Sequence, residues 1–213
     1  AIDLLVSSEL LETVRQVGLG MASAERTMVL SSSARALTVG DPTDDATQMG
    51  PVVSADARRT IQAGIDAATA QGATVLAGGA PYADGLLATG FFVPPTVVEL
   101  GAAADVWTDE LFGPVLAVRR ASGAEAAFAL ADDSEFGLSA AVFTQDLTRA
   151  LQAVEHIDVG VLHINSESAG ADPHVPFGGA KKSGLGPKEQ GGAAREFFTH
   201  TTTVYLRGGT PGA

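Results

Sequence analysis

The chain contains no cysteine. That excludes disulfides, thiolate metal sites and any thiolate nucleophile supplied by these residues. Basic residues are also scarce. Thirteen Lys and Arg stand against 25 Asp and Glu in 213 residues, a formal net charge of −12. Phosphate backbones and anionic membrane surfaces need clustered cations, so neither nucleic acid nor an anionic bilayer is an expected partner. No run reaches 18 apolar residues, and Ala1 to Val6 lacks the basic flank of a secretory signal, so no membrane span or leader is expected. His156, His163, His174 and His200 lie far apart and fit no ligand spacing, so no metal is expected. No strand leads into a Gly-x-Gly-x-x-Gly run, and Gly18-Leu19-Gly20 is an isolated fragment. The acidic, cysteine-free composition fits a cytoplasmic protein.

What is present is an alternation of helices and short apolar strands. Ser54 is an N-cap for a helix to about Gln71, with Ile61, Ile65 and Ala68 on one stripe. Further helices are expected near 123 to 131, 146 to 156 and 192 to 198. Short strands are expected at Ala73 to Leu76, Thr96 to Leu100, Val115 to Arg119, Ser139 to Phe143 and Gly160 to Asn165. This order implies crossover connections and a three-layer α/β domain with a mainly parallel central sheet. Residues 1–38 form a divergent leading segment, in which 16 to 21 reads as a strand and 24 to 37 as a helix. Thr201 to Leu206 is a β-prone edge strand that calls for a partner, and 207–213 is a frayed tail.

Five spaced blocks carry a resemblance. They are Gly40-Asp41-Pro42, Met49-Gly50-Pro51, Gly90 to Thr96, Asp109 to Leu116 and Pro176 to Gly186. In order and separation they resemble the C-terminal, catalytic-domain part of NAD(P)-dependent aldehyde dehydrogenases. Ile164 to Gly170, Lys188 to Gly191 and Ala193 to Thr199 are similar to enzymes that oxidise α-ketoglutarate semialdehyde. The resemblance implies an aldehyde-dehydrogenase-like catalytic domain over 39–200, with 201–206 as an oligomerisation strand. The family's cofactor-binding half lies upstream of the segment that these residues resemble.

The resemblance also locates what is missing. Family spacings counted back from Arg15 and from Gly40 converge on Leu10 as the position of the nucleophilic cysteine. Leucine cannot attack an aldehyde carbonyl, and unactivated Ser7 and Ser8 are poor nucleophiles. Glu110 matches the glutamate that accepts the nicotinamide ribose hydroxyls, and Phe112 the aromatic beside the nicotinamide ring. Asn165 and Phe177 match positions at the substrate tunnel. All four are expected as vestiges.

Three readings of function follow. The chain is a catalytic-domain remnant, inactive alone, with a structural or protein-interaction role. Or it is one part of a split NAD(P)-dependent semialdehyde dehydrogenase that needs a separate cofactor-binding domain. Or it is a small-molecule binding module. No cofactor is expected for the chain alone. The expected partner is a second copy in a homo-oligomer or a separate cofactor-binding domain.

Overall fold

A computed structural model describes residues 38–101, 104–166, 168 and 172–209. The expectations on Leu10, Arg15 and the elements at 16 to 37 lie outside the described residues. Helix α1 spans Ala55–Ala70, and Ser54 Oγ accepts the Ala57 N–H at 3.1 Å, as an N-cap should. Its buried residues are Ile61, Ile65 and Ala68, at spacings of four and three. They pack on a three-stranded sheet of β1 (Thr74–Ala77), β2 (Thr96–Leu100) and β3 (Val115–Arg119). β1 runs antiparallel to β2, and β2 runs parallel to β3. Val93, Val98, Leu100 and Val115 complete this core.

A second α/β unit follows. Helix α3 (Ala124–Asp132, after the short α2 at Gly85–Thr89) and helix α4 (Leu147–His156) cover the parallel pair β5 (Ser139–Val142) and β6 (Val161–Ile164). Phe128, Ala140, Val142, Ala153 and Ile157 form its core. Asp146 caps α4, its carboxylate accepting the Thr148 N–H at 2.8 Å. The two-residue strands β4 (Phe136–Gly137) and β7 (Ala180–Lys181) pair antiparallel beside this unit. Lys181 reaches from β7 to the end of α3, donating to the Asp132 carbonyl at 2.8 Å and to its carboxylate at 2.7 Å. A cation at a helix C-terminus meets the negative end of its dipole.

The α/β class and the parallel pairs agree with the sequence expectation. Three features differ. Among the described residues the central sheet is divided: β3 pairs only with β2, and β5 pairs only with β6. Thr201 to Leu206 forms no strand; these residues are exposed and irregular. β propensity does not make a strand without a ladder partner; none meets the segment among the described residues, and the expected partner was a second subunit. The helix expected at 192 to 198 is a 3₁₀ turn, Gly191–Ala193, running into the four-residue α5, Ala194–Phe197. No helix among the described residues is long and apolar enough to cross a membrane.

Candidate functional site

The loop before β3 presents two of the expected site residues. Its backbone lies close on α1, and small residues on both sides make that approach possible. A Cβ on Gly113 would sit 2.4 Å from Ile61 Cδ1, and one on Gly64 would sit 2.5 Å from Leu111 Cδ2. Leu111 and Gly113 therefore face α1, and Glu110 and Phe112 between them are exposed. Phe112 is 79% exposed and holds a φ of 50°. That left-handed conformation is unfavourable for a side chain with a Cβ. The preceding turn is braced separately. Gln71 Oε1 accepts the Asp105 N–H at 2.9 Å, and the Arg119 guanidinium stacks over Trp107 at 5.3 Å from the ring centroid.

Glu110 and Phe112 stand on the rim of a groove of about 550 Å³ between the two half-sheets. Leu116 and Ala117 line it from β3, and Leu138 and Ser139 from the β5 side, with Phe136 at the margin. Phe112, Phe136 and Leu138 are all exposed apolar side chains in this one place. Nothing in the linear sequence places β3 beside β5, so the groove was not among the expected sites.

Asn165 is held differently. Its Oδ1 accepts the Thr144 N–H at 2.8 Å, and its Nδ2 donates to the Thr144 carbonyl at 2.9 Å. Its own N–H continues the ladder to Val142 O at 2.8 Å. Thr144 is buried, and the exposed Asn165 pairs both of its backbone groups. Phe177 is half-buried and exchanges two backbone bonds with Glu189, at 2.7 and 2.9 Å. Lys188 ties the same region, donating to Gly160 O at 2.6 Å and to Gly178 O. Neither Asn165 nor Phe177 lines the groove that Glu110 and Phe112 border.

Three carboxylates are shifted by visible causes, and the first, exposed Asp41, is lowered by the Thr43 N–H and hydroxyl. Burial alone would raise Asp132, but the Lys181 hydrogen bond, the Asp158 N–H and the lysine charge together hold it below the ordinary value. The His174 N–H and imidazole lower exposed Asp172. None of the three lies among the residues lining the groove. Among the described residues no three His, Asp or Glu side chains gather as a metal site would require.

The residues at the groove do not by themselves fit a dinucleotide. Glu110 and Phe112 suit a ribose and a ring, but the diphosphate needs backbone N–H groups at a glycine-rich helix start. Among the described residues the turns from a strand into a helix of two turns or more are Arg120 to Gly123, with one glycine, and Phe143 to Asp146, where the cap is itself a carboxylate; the Gly78-Gly79 pair is separated from the five-residue α2 by Ala80 to Ala83 and an aspartate cap.

Comparison with known proteins agrees with this architecture. The model of the aldehyde dehydrogenase family matches residues 22–204. The alpha-ketoglutaric semialdehyde dehydrogenase of Bacillus subtilis is 36% identical over 172 residues, covering 80% of this chain and 35% of that protein. The betaine aldehyde dehydrogenase of Brucella melitensis is 41% identical over 177 residues, covering 82% and 36%. The betaine aldehyde dehydrogenase of Staphylococcus aureus, solved in complex with NAD+, superimposes with a TM-score of 0.69 at 32% identity, over 76% of this chain and 32% of that one. HpcC of Thermus thermophilus superimposes with a TM-score of 0.73 at 30% identity, over 83% and 36%. The chain thus spans about a third of the length of the relatives it matches. With the motifs, the fold and the match over 22–204 in agreement, this chain belongs to the aldehyde dehydrogenase family.

Proposed function

We propose that these residues supply part of the aldehyde dehydrogenase fold without its chemistry, and act through contacts with other protein. The carrying observation is the absence of any cysteine, with Leu10 where the family spacing puts the nucleophile. Aldehyde oxidation in this family needs a thiolate to form the tetrahedral adduct, a base, and donors for the oxyanion. No substitution of one residue restores all three. Glu110 and Phe112 are then inherited features of a loop, and Asn165 and Phe177 are parts of the scaffold.

A second reading keeps one specific observation. Glu110 and Phe112 are exposed at the rim of an apolar groove, where a cofactor-binding partner could reach them. In that reading the chain is one part of a split NAD(P)-dependent semialdehyde dehydrogenase, and the partner brings the nucleophile. Betaine aldehyde and α-ketoglutarate semialdehyde are the substrates to try first, given the relatives.

Absorbance of the reduced nicotinamide separates these readings. The purified chain, given NAD+ or NADP+ and either aldehyde, should show no turnover above a blank. Turnover that a substitution in this chain abolishes would overturn the proposal.

A further inference from the structure

We infer that Asp84-Gly85 is a site of covalent self-modification, where the chain closes to a succinimide and reopens in part as isoaspartate. The site is independent of aldehyde chemistry, and neither residue lines the groove.

The reaction needs no second molecule but water. The Gly85 amide nitrogen gives its electron pair to the carboxyl carbon of Asp84, and a five-membered imide forms. The bond made is C–N and the bond broken is C–OH. The hydroxyl leaves with the amide proton as water. Water then reopens the ring at one of its two carbonyls. Attack at the side-chain carbonyl restores aspartate. Attack at the main-chain carbonyl leaves the chain running through the side chain, with an extra methylene and a free α-carboxylate. Nothing is oxidised or reduced, and the final mass equals the starting mass.

Asp84 is the only aspartate in the sequence followed by glycine. Glycine matters here because no side chain hinders its nitrogen and its backbone turns freely. The fold leaves both reacting groups available. Asp84 and Gly85 are exposed. The Asp84 carboxyl makes no capping bond, and no other bond holds it among the described residues. The Gly85 N–H heads α2, where an amide has no intrahelical acceptor, and it has no other acceptor among the described residues. Gly85 holds a φ of 67°, and no atom beyond its chain neighbours comes within 4 Å of where a Cβ would stand. The Asp84–Gly85 peptide plane therefore has room for the rotation that ring closure requires.

Comparable residues are held. Asp41, Asp44, Asp146 and Asp172 each turn the carboxyl onto the N–H two residues ahead, at 2.8 or 2.9 Å, which carries it past the adjacent amide. Asn165-Ser166 is the sharper contrast. Asn165 is the only asparagine in the sequence, and its side chain could close the same ring with loss of ammonia. Both ends of its amide are bonded to Thr144, which fixes the carbon that would be attacked. Around Asp84 the consequence is local. Its carbonyl, which accepts the Ala88 N–H at 3.3 Å, becomes the free carboxylate of isoaspartate. The far end of α2 stays tied to α1, because Arg58 donates to Gly90 O at 2.7 Å and to Ala88 O at 3.3 Å.

Ageing the full chain in native buffer and in guanidinium chloride, followed by peptide mapping with electron-transfer fragmentation, tests this directly. A succinimide lighter by a single water should appear at Asp84 first, and isoaspartate should replace it. The rate at Asp84 in native buffer should lie within threefold of the rate in denaturant, because the fold does not restrain the pair. Deamidation of Asn165 should be at least tenfold slower in native buffer than in denaturant. Asp84→Glu would have to close a six-membered ring and should lower the product at this position at least tenfold. Three results would overturn the site: no isoaspartate at Asp84 in the native chain; a native rate there more than tenfold below the denatured one; or product undiminished in Asp84→Glu. Equal native and denatured rates at Asn165 would overturn the claim that the fold selects between the two pairs. The first two comparisons use the unaltered chain, so they stand even where the variant fails to fold.

Discussion

Phe112 and Asn165 share a backbone conformation, with φ of 50° and 57°, and reach it for opposite reasons. Asn165 tolerates the left-handed region and uses it to turn its amide onto both backbone groups of Thr144. Phe112 gains no such compensation, and its ring is 79% exposed. The backbone beneath it is pinned by Gly113 and Leu111 against α1, which forces Phe112 outward. One residue spends its conformation on hydrogen bonds within the fold, and the other holds the same conformation with its ring in solvent. Backbone strain of this kind is usually kept where it serves a site.

That contrast can be broken at its foundation. Ile61 is fully buried under the Phe112 loop, and Ile61→Ala should cost about 2–5 kcal/mol, read from urea midpoints. The loop should loosen with it, shown by faster exchange at Leu111 and Gly113. Asn165→Ala should cost about 1–3 kcal/mol, because it leaves the buried Thr144 amide without a partner. An unchanged midpoint would mean that water replaces both bonds.

Phe112→Gly sharpens the contrast with the opposite sign. Glycine accepts the positive φ freely, and little packing is lost, so the variant should be more stable by about 1 kcal/mol. A loss of stability would show that the ring packs within this chain. Asp132 offers a smaller effect, well under about 1 kcal/mol for a partly exposed pair. Its carboxyl is lowered in the fold, so its contribution is present above the ordinary carboxylate range, about 4, and is lost as pH falls through the lowered value. The urea midpoint of the chain should therefore fall more steeply below about pH 5 than that of Asp132→Asn. Equal slopes would remove Lys181 as the cause. Glu110→Gln should change stability least, by no more than about 0.5 kcal/mol, since the side chain is exposed.

Local patterns in the sequence reached far into the fold. Ser54 with Ile61, Ile65 and Ala68 marks α1 because an N-cap and a 3.6-residue stripe are both local signals. The β-branched runs at Thr96 to Leu100 and Val115 to Arg119 mark two strands without error at either end. β4 and β7 are two residues each, too short to carry a period, and they pair segments that lie far apart in the chain. The division of the sheet was not legible, because which strands become neighbours is set by packing and not by any single segment. For the same reason the groove residues Ala117, Leu138 and Ser139 carried no signal. Glu110 and Phe112 were legible only as a family match, and their exposure on one rim is a finding of the structure.

The account holds that the fold of this segment is present and the chemistry of the family is not. Calorimetric titration of NAD+ into the purified full chain tests that most directly. The account predicts no saturable heat, because no phosphate cradle accompanies Glu110 and Phe112 among the described residues. Saturable binding that Glu110→Gln removes would contradict it.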